Sequence, residues 1–92
     1  PATHADGRNV LIRLHFDEDA APWVMEDHYF YIDSREPDDF GVAVTLRVHS
    51  IDEAVQWILG WGRRVTVIEP AALRDRLRDE ARAMLENLSD PV

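Results

Sequence analysis

The amino-acid sequence predicts an α+β domain: a ferredoxin-like βαββαβ antiparallel sheet with an added C-terminal helix. Three observations favour this fold. Apolar and polar residues alternate along two segments, as in strands with one buried face. A tryptophan between two glycines separates a helical segment from a β-branched one. Near the C-terminus, apolar residues recur every three or four positions, as on one face of a helix.

The first predicted strand and helix lie in the first third of the chain. The strand begins at Asn9 and turns four apolar side chains toward the core, namely Val10, Ile12, Leu14 and Phe16. A helix is predicted over Asp17–Asp27, because its acidic residues and its proline fall in the first turns, where they are tolerated. Trp23 and Val24 are its expected core contacts.

The second and third strands are predicted to form a hairpin. Aromatic and β-branched residues assign the second strand to His28–Asp33, and a polar connection containing proline follows over Ser34–Asp39. The third strand, Phe40–His49, alternates cleanly. Its inward-facing side chains are Val42, Val44, Leu46 and Val48.

The second half of the chain predicts helix, strand and helix. Ser50 and Glu53 fit a capping box, which opens a helix that ends at the glycines of Gly60-Trp61-Gly62. The fourth strand is Arg64–Glu69, and Pro70 suits the first turn of the last helix. That helix carries an apolar stripe formed by Leu73, Leu77, Ala81, Met84, Leu85 and Leu88.

Length and composition indicate a single domain. With 92 residues, 46% of them hydrophobic, the chain suffices for one core. We expect the domain to cover residues 9–88, between a tail or linker remnant at 1–8 and a C-terminal tail at 89–92. No apolar run approaches a membrane span and the start does not resemble a signal peptide, so a cytoplasmic location with no membrane partner is expected.

The charge and the missing cysteines exclude several classes of function. A net charge of −8 argues against binding a nucleic-acid backbone with the whole surface, although a local basic patch remains compatible with it. Without cysteine, thiolate nucleophiles and thiolate metal sites are excluded. Serines lack a glycine elbow and there is no phosphate-binding glycine loop. We therefore expect no enzymatic activity, no catalytic residue and no cofactor.

Several motifs, in order, resemble one protein family. Trp57–Gly62 reads W-I-L-G-W-G, Val65–Pro70 reads V-T-V-I-E-P, and Leu73-Arg74 follows. With Phe40–Val48 and Ala20–Val24 before them, these segments resemble the C-terminal extension, or WCX domain, of bacterial WYL-domain transcriptional regulators. The resemblance covers roughly Asn9 to Leu88.

This resemblance implies a non-catalytic regulatory and dimerisation module that contributes to effector sensing. Its implied partners are a second copy in a homodimer and the WYL and winged helix-turn-helix domains of the same full-length protein. A nucleotide or a single-stranded nucleic acid is a candidate effector. Direct contact with the operator is not expected from these residues. The alternative function is a free-standing ferredoxin-like domain that binds a small anionic ligand.

A candidate binding surface is the sheet face opposite the helices. Eight residues are predicted there, and none is acidic: Leu11, Arg13, His15, Thr45, Arg47, His49, Arg64 and Thr66. The proposed ligand- or partner-binding residues among them are Arg13, His15, Arg47, His49, Arg64 and Thr66. The alternative is a solvated face, which antiparallel sheets commonly have.

Other polar and aromatic groups have structural interpretations beside functional ones. His15 and His49 are expected at opposite ends of the sheet, His4 lies in the tail and His28 begins a strand, so no metal site is predicted. Arginines at four-residue steps on the last helix are expected to form ion pairs rather than a ligand clamp. Trp57 and Trp61 are expected to pack in the core or at an interface, with a stacking platform as the alternative.

Overall fold

The computed structural model describes residues 6–90, which form a four-stranded antiparallel sheet in the order β2-β3-β1-β4. The elements are β1 (Val10–Asp17), α1 (Ala21–Glu26), β2 (Ile32–Asp38), β3 (Gly41–Val48), α2 (Val55–Leu59), β4 (Val65–Glu69) and α3 (Ala71–Asn87). Short 3-10 turns, Ile51–Ala54 and Gly62–Arg64, precede α2 and β4. The predicted α+β fold with a ferredoxin-like strand order and an added C-terminal helix is confirmed. His4 and parts of both predicted tails lie outside the described residues.

The centre of the sheet is the pair β1 and β3, and it carries the core. The two strands run antiparallel, with Leu14 opposite Val44. Their inward-facing side chains are fully or almost fully buried: Ile12, Leu14, Phe16, Val42, Val44, Leu46 and Val48. The alternation that predicted these two strands is therefore correct, because each has one face under the helices and one face away from them.

The predicted position of β2 is wrong. The strand is Ile32–Asp38 instead of His28–Asp33, so most of the predicted polar connection belongs to it. Within the described residues β2 is an edge strand that pairs only with β3, and an edge strand tolerates polar residues and Pro37. Arg35 fixes it to α1, since its side chain donates to the carbonyls of Val24 and Asp27 at the end of that helix.

The helix α1 is shorter than predicted, and one of its two predicted core contacts is wrong. Asp17, the predicted start of the helix, is the last residue of β1. Its carboxylate accepts a hydrogen bond from the Ala20 amide at 2.9 Å, which makes a turn before α1. Ala20 and Val24, four positions apart, are buried together against the sheet. Trp23 therefore points away from the sheet and is 70% exposed.

The segment between α2 and α3 forms the junction that the glycines predict. The helix α2 ends at Leu59, and Gly62 takes the left-handed φ of +60° before the chain enters β4. Pro70 directly precedes the first residue of α3. Because the first turn after Ser50 is 3-10, α2 itself is only five residues long.

The helix α3 is 17 residues long, and only its first half packs on the domain. Leu73 is fully buried and Leu77 is half-buried against the core. Further along the predicted stripe, Met84, Leu85 and Leu88 are 50%, 68% and 78% exposed. None of the helices in residues 6–90 is long and apolar enough to cross a membrane.

Candidate functional site

The sheet face without helices, called the open face below, brings together four predicted binding residues. Arg13 and His15 alternate on β1, and the β1–β3 register places Arg47 diagonally across from Arg13. On the other side of β1, His15 lies opposite Thr66 of β4. A shallow depression of about 380 Å³ lies on this face, with Arg13, Ser34 and Ile68 in its lining.

Carboxylates from the edge strands pair with the arginine and histidine side chains of the open face. The pairs are Arg13–Glu69 at 3.7 Å, His15–Asp38 at 2.9 Å and Arg47–Asp33 at 3.6 Å. The open face is therefore not purely basic, which corrects the prediction of a face without acidic residues. The predicted set contained residues of β1, β3 and the start of β4, whereas the carboxylates come from β2 and from the end of β4. Each of these three side chains already has a carboxylate within 4 Å, which reduces the attraction for an added anion.

The other two predicted binding residues lie at the ends of the sheet. Arg64, in the 3-10 turn before β4, donates to Asp19 at 2.5 Å and to Asp17 at 3.4 Å. His49 follows β3 at the opposite end from His15, as predicted. Within the described range 6–90, His, Asp and Glu side chains form no group of three that could hold a metal ion.

Glu53 is a hydrogen-bonding centre beside His49. It accepts from the Tyr31 hydroxyl at 2.6 Å, from the His49 amide at 2.5 Å and from the Ser50 amide at 3.2 Å. The last of these bonds is the reach-back contact of the predicted capping box. The His49 ring lies between the carboxylate, 3.2 Å from Nδ1, and the Asp6 carbonyl, 3.0 Å from Nε2.

These contacts shift the pKa values of the cluster in opposite directions. The hydrogen bond from Tyr31 is the largest cause that lowers the pKa of Glu53 from 4.5 to about 2. The hydrogen bond with Glu53 raises the pKa of His49, and it also raises the pKa of Tyr31. The ionised carboxylate and the protonated imidazole are thus the forms that the fold favours.

Stability should therefore depend on pH through this cluster. The contribution of Glu53 is present above pH 4.5 and is lost as the pH falls toward 2, while that of His49 is present below 6.5 and is lost as the pH rises through its raised pKa. Urea unfolding between pH 2.5 and 8 measures it. In Glu53→Gln the acid-side loss of stability should be smaller than in the wild type, whereas Glu26→Gln, at the exposed end of α1, should keep the wild-type profile. Equal acid-side losses in all three proteins would contradict the assignment.

Several aromatic residues form a cluster around the buried ring of Phe16. Phe16 packs edge-on against Trp57 at 5.7 Å and against Trp61 at 5.2 Å between ring centroids. The face of Trp57 is stacked on Tyr29 at 4.2 Å and an interplanar angle of 5°. Tyr29 occupies one face of Trp57, and Trp61 packs edge-on against Phe16 and Trp57 beside the core. Core packing is therefore the interpretation that the structure supports for both tryptophans.

The most apolar surface lies beside α3. A groove of about 500 Å³ runs between α2, β4 and α3, and its lining includes Leu59, Val65, Val67, Leu77 and Met84. Arg74 and Arg78 stand at its rim on α3. The exposed distal stripe of Met84, Leu85 and Leu88 continues from this groove toward the C-terminus. The sequence indicated the stripe through its helical period, but it carried no signal for which part of the stripe the core would cover.

Ion pairs on the solvent side of α3 confirm the prediction for Arg78 and Arg82, whereas Arg74 donates instead to the Ile68 carbonyl. The pairs are Arg76–Glu80 at 3.4 Å, Arg78–Asp75 at 3.0 Å and Arg82–Asp79 at 3.6 Å. Arg76 also contacts Asp52 in the turn before α2. Since exposed pairs contribute little to stability, these charges serve mainly to keep that side of α3 solvated.

Comparison with known proteins agrees with the fold and the motifs. A search among curated proteins finds no match. The family model of the WCX domain matches residues 8–85, which is most of the chain. The WCX domain is the C-terminal extension of WYL-domain regulators. The chain therefore belongs to the WCX domain family.

Proposed function

We propose that this domain is the regulatory and self-association module of a WYL-type helix-turn-helix transcriptional regulator and that it performs no catalysis itself. The observation that carries the proposal is the uncovered apolar surface of α3. Met84, Leu85 and Leu88 together expose an apolar stripe at the distal end of α3, and the 500 Å³ groove continues it. A contiguous apolar surface of this kind is typical of an interaction site.

In this proposal the domain acts by changing how the parts of the regulator are arranged. One surface holds a second copy, while the WYL and winged helix-turn-helix domains of the same protein adjoin the module. An effector such as a nucleotide or a single-stranded nucleic acid changes the regulator by favouring one arrangement of these parts over another. The net charge of −8 supports an indirect role in DNA binding, with no contact between this module and the operator.

The alternative function, binding of a small anionic ligand on the open face, receives less support from the geometry. Arg13, His15 and Arg47 each have a carboxylate within 4 Å, so an anion would have to compete with a partner already in place. The depression on that face also has the acidic residues Glu36 and Glu69 in its lining.

Sedimentation equilibrium tests the self-association. The isolated domain should form a dimer at micromolar concentration, and Leu85→Glu should weaken the dimer by about 30-fold, the effect expected when a charge enters an apolar contact of about 2 kcal/mol. Ala83→Glu is the matched control, because it adds the same charge to the same helix on the side away from the stripe.

Two results would remove the proposal. The first is a wild-type domain that remains monomeric at concentrations up to hundreds of micromolar and also fails to bind an added WYL domain. The second is a dimer that Ala83→Glu and Leu85→Glu weaken to the same degree, since the apolar stripe would then have no special part in association.

A further inference from the structure

We propose that the occupant of the groove is a second copy of the same helix, paired antiparallel, so that the distal half of each α3 covers the groove beside the proximal half of the other. This inference rests on the proposed self-association and specifies the surface and the direction.

The spacing of the stripe suits a pair of helices. Leu77, Ala81, Met84 and Leu88 follow one another at steps of four, three and four residues, which is the seam of a helix pair. With the two-fold axis passing between positions 82 and 83, Leu77 meets Leu88 of the second copy, and Ala81 meets Met84 of the second copy. A small residue therefore faces a large one in the central layers, which allows close packing without a void.

The chain carries both the groove and the uncovered apolar side of the distal half of α3, called the ridge below. Together they favour a symmetric partner. The proximal half of α3 borders the groove, whereas the distal half projects beyond the domain with its apolar side uncovered. In an isologous dimer one two-fold axis brings each ridge onto the other groove, so both uncovered surfaces are buried at once. A different protein would cover the two regions only if it carried its own matching ridge.

Charge selects the antiparallel direction. Arg74 stands at the groove rim, where its guanidinium donates to the Ile68 carbonyl. The opposite end of α3 has no basic residue in its last turn and is followed by Asp90, so its negative dipole end is not compensated by a cation from that turn. Antiparallel pairing brings Arg74 beside that end of the second copy. Parallel pairing would bring Arg74 beside Arg74 of the second copy instead.

Cysteine cross-linking tests the direction, because the natural chain has no cysteine. In the antiparallel pair the two positions 81 are offset along the axis by about 4.5 Å, and the two positions 88 by about 17 Å. A short bifunctional maleimide should therefore link Ala81→Cys chains to one another at least tenfold faster than Leu88→Cys chains. Ala83→Cys, on the outer side of α3, is the background control. Sedimentation of each variant before treatment reports how much dimer is present.

The outcomes separate this inference from the proposed function. A dimer in which Leu88→Cys links as fast as Ala81→Cys overturns the antiparallel direction. A dimer in which neither variant links faster than Ala83→Cys overturns α3 as the surface and leaves self-association standing. A strictly monomeric wild-type domain overturns the pairing, and with a failure to bind an added WYL domain it removes the proposed function as well.

Discussion

Leu73→Ala is expected to lower the free energy of unfolding by about 3 kcal/mol and to loosen α3 from the sheet. Leu73 is the only buried residue of α3, and it is fully buried in the core. Truncation removes the transfer free energy of its side chain and leaves a cavity at the point where the helix is attached. Urea unfolding followed by tryptophan fluorescence measures the loss, and amide hydrogen exchange along α3 measures the loosening.

Leu88→Ala is the matched control for this prediction. It makes the same chemical change at the residue that directly follows the same helix, but Leu88 is 78% exposed, so the dilute monomer should change by less than about 0.5 kcal/mol. If Leu73→Ala and Leu88→Ala destabilise the monomer equally, α3 is not anchored as described. Because both variants alter the apolar stripe or its support, the comparison must be made below the concentration at which dimers form.

Gly41→Ala is expected to cost about 3 kcal/mol or more. Gly41 begins β3 with a φ of +145°, a conformation that L-residues with a side chain rarely adopt. A Cβ at this position would lie 1.9 Å from the carbonyl oxygen of Phe16, which is backbone of the central strand β1 and cannot rotate away. The substitution therefore forces β1 and β3 apart at one end of the sheet.

Gly60→Ala provides the comparison for Gly41→Ala. Gly60 has a helical φ of −62° at the end of α2, and its nearest contact for an added Cβ is 3.4 Å. Alanine should change the stability there by no more than about 1 kcal/mol, in either direction. Thermal unfolding of both variants gives the difference, and similar melting temperatures would show that the β1–β3 end tolerates a side chain.

The central strands could be predicted from the sequence because their pattern is local. In β1 and β3 every second side chain enters the core, so alternation along eight residues is enough to identify the strand and its inward face. The stop at Gly60-Trp61-Gly62 was also predictable, since the left-handed residue required there is a glycine. Two of the family motifs, Phe40–Val48 and Trp57–Gly62, lie in or beside these segments, and the predicted family is confirmed by the match over residues 8–85.

The errors arose where tertiary contacts outweigh local preference. Tyr29 belongs to an aromatic stretch that favours a strand, yet its ring stacks on Trp57 and the chain forms a loop there. Strand β2 starts later, because an edge strand needs backbone partners on one side only and accepts Pro37. The prediction that Trp23 contacts the core is wrong, because the short α1 has a single buried face, which carries Val24.

The candidate surfaces were only partly predictable for the same reason. The side-chain directions of β1 and β3 placed Arg13 and Arg47 on one face, but their partners Asp33 and Glu69 come from segments whose register the sequence does not reveal. Glu53 was identified as a helix cap, while its bonds to Tyr31 and His49 depend on how three separate segments meet. The helical period of the sequence indicated the apolar stripe of α3, but it did not indicate which half of the stripe is left uncovered.

Because α3 is attached to the domain through its first turns, a small rotation there produces a larger movement at its far end. From Leu73 to Leu88 the axis runs for about 22 Å, so a tilt of about 10° at the attachment point moves the far end by roughly 4 Å. The domain measures 55 Å in its longest dimension, against 30 and 21 Å in the other two. A small repacking around Leu73 is thereby enlarged into a displacement of several ångströms at the tip, comparable to the spacing between neighbouring strands.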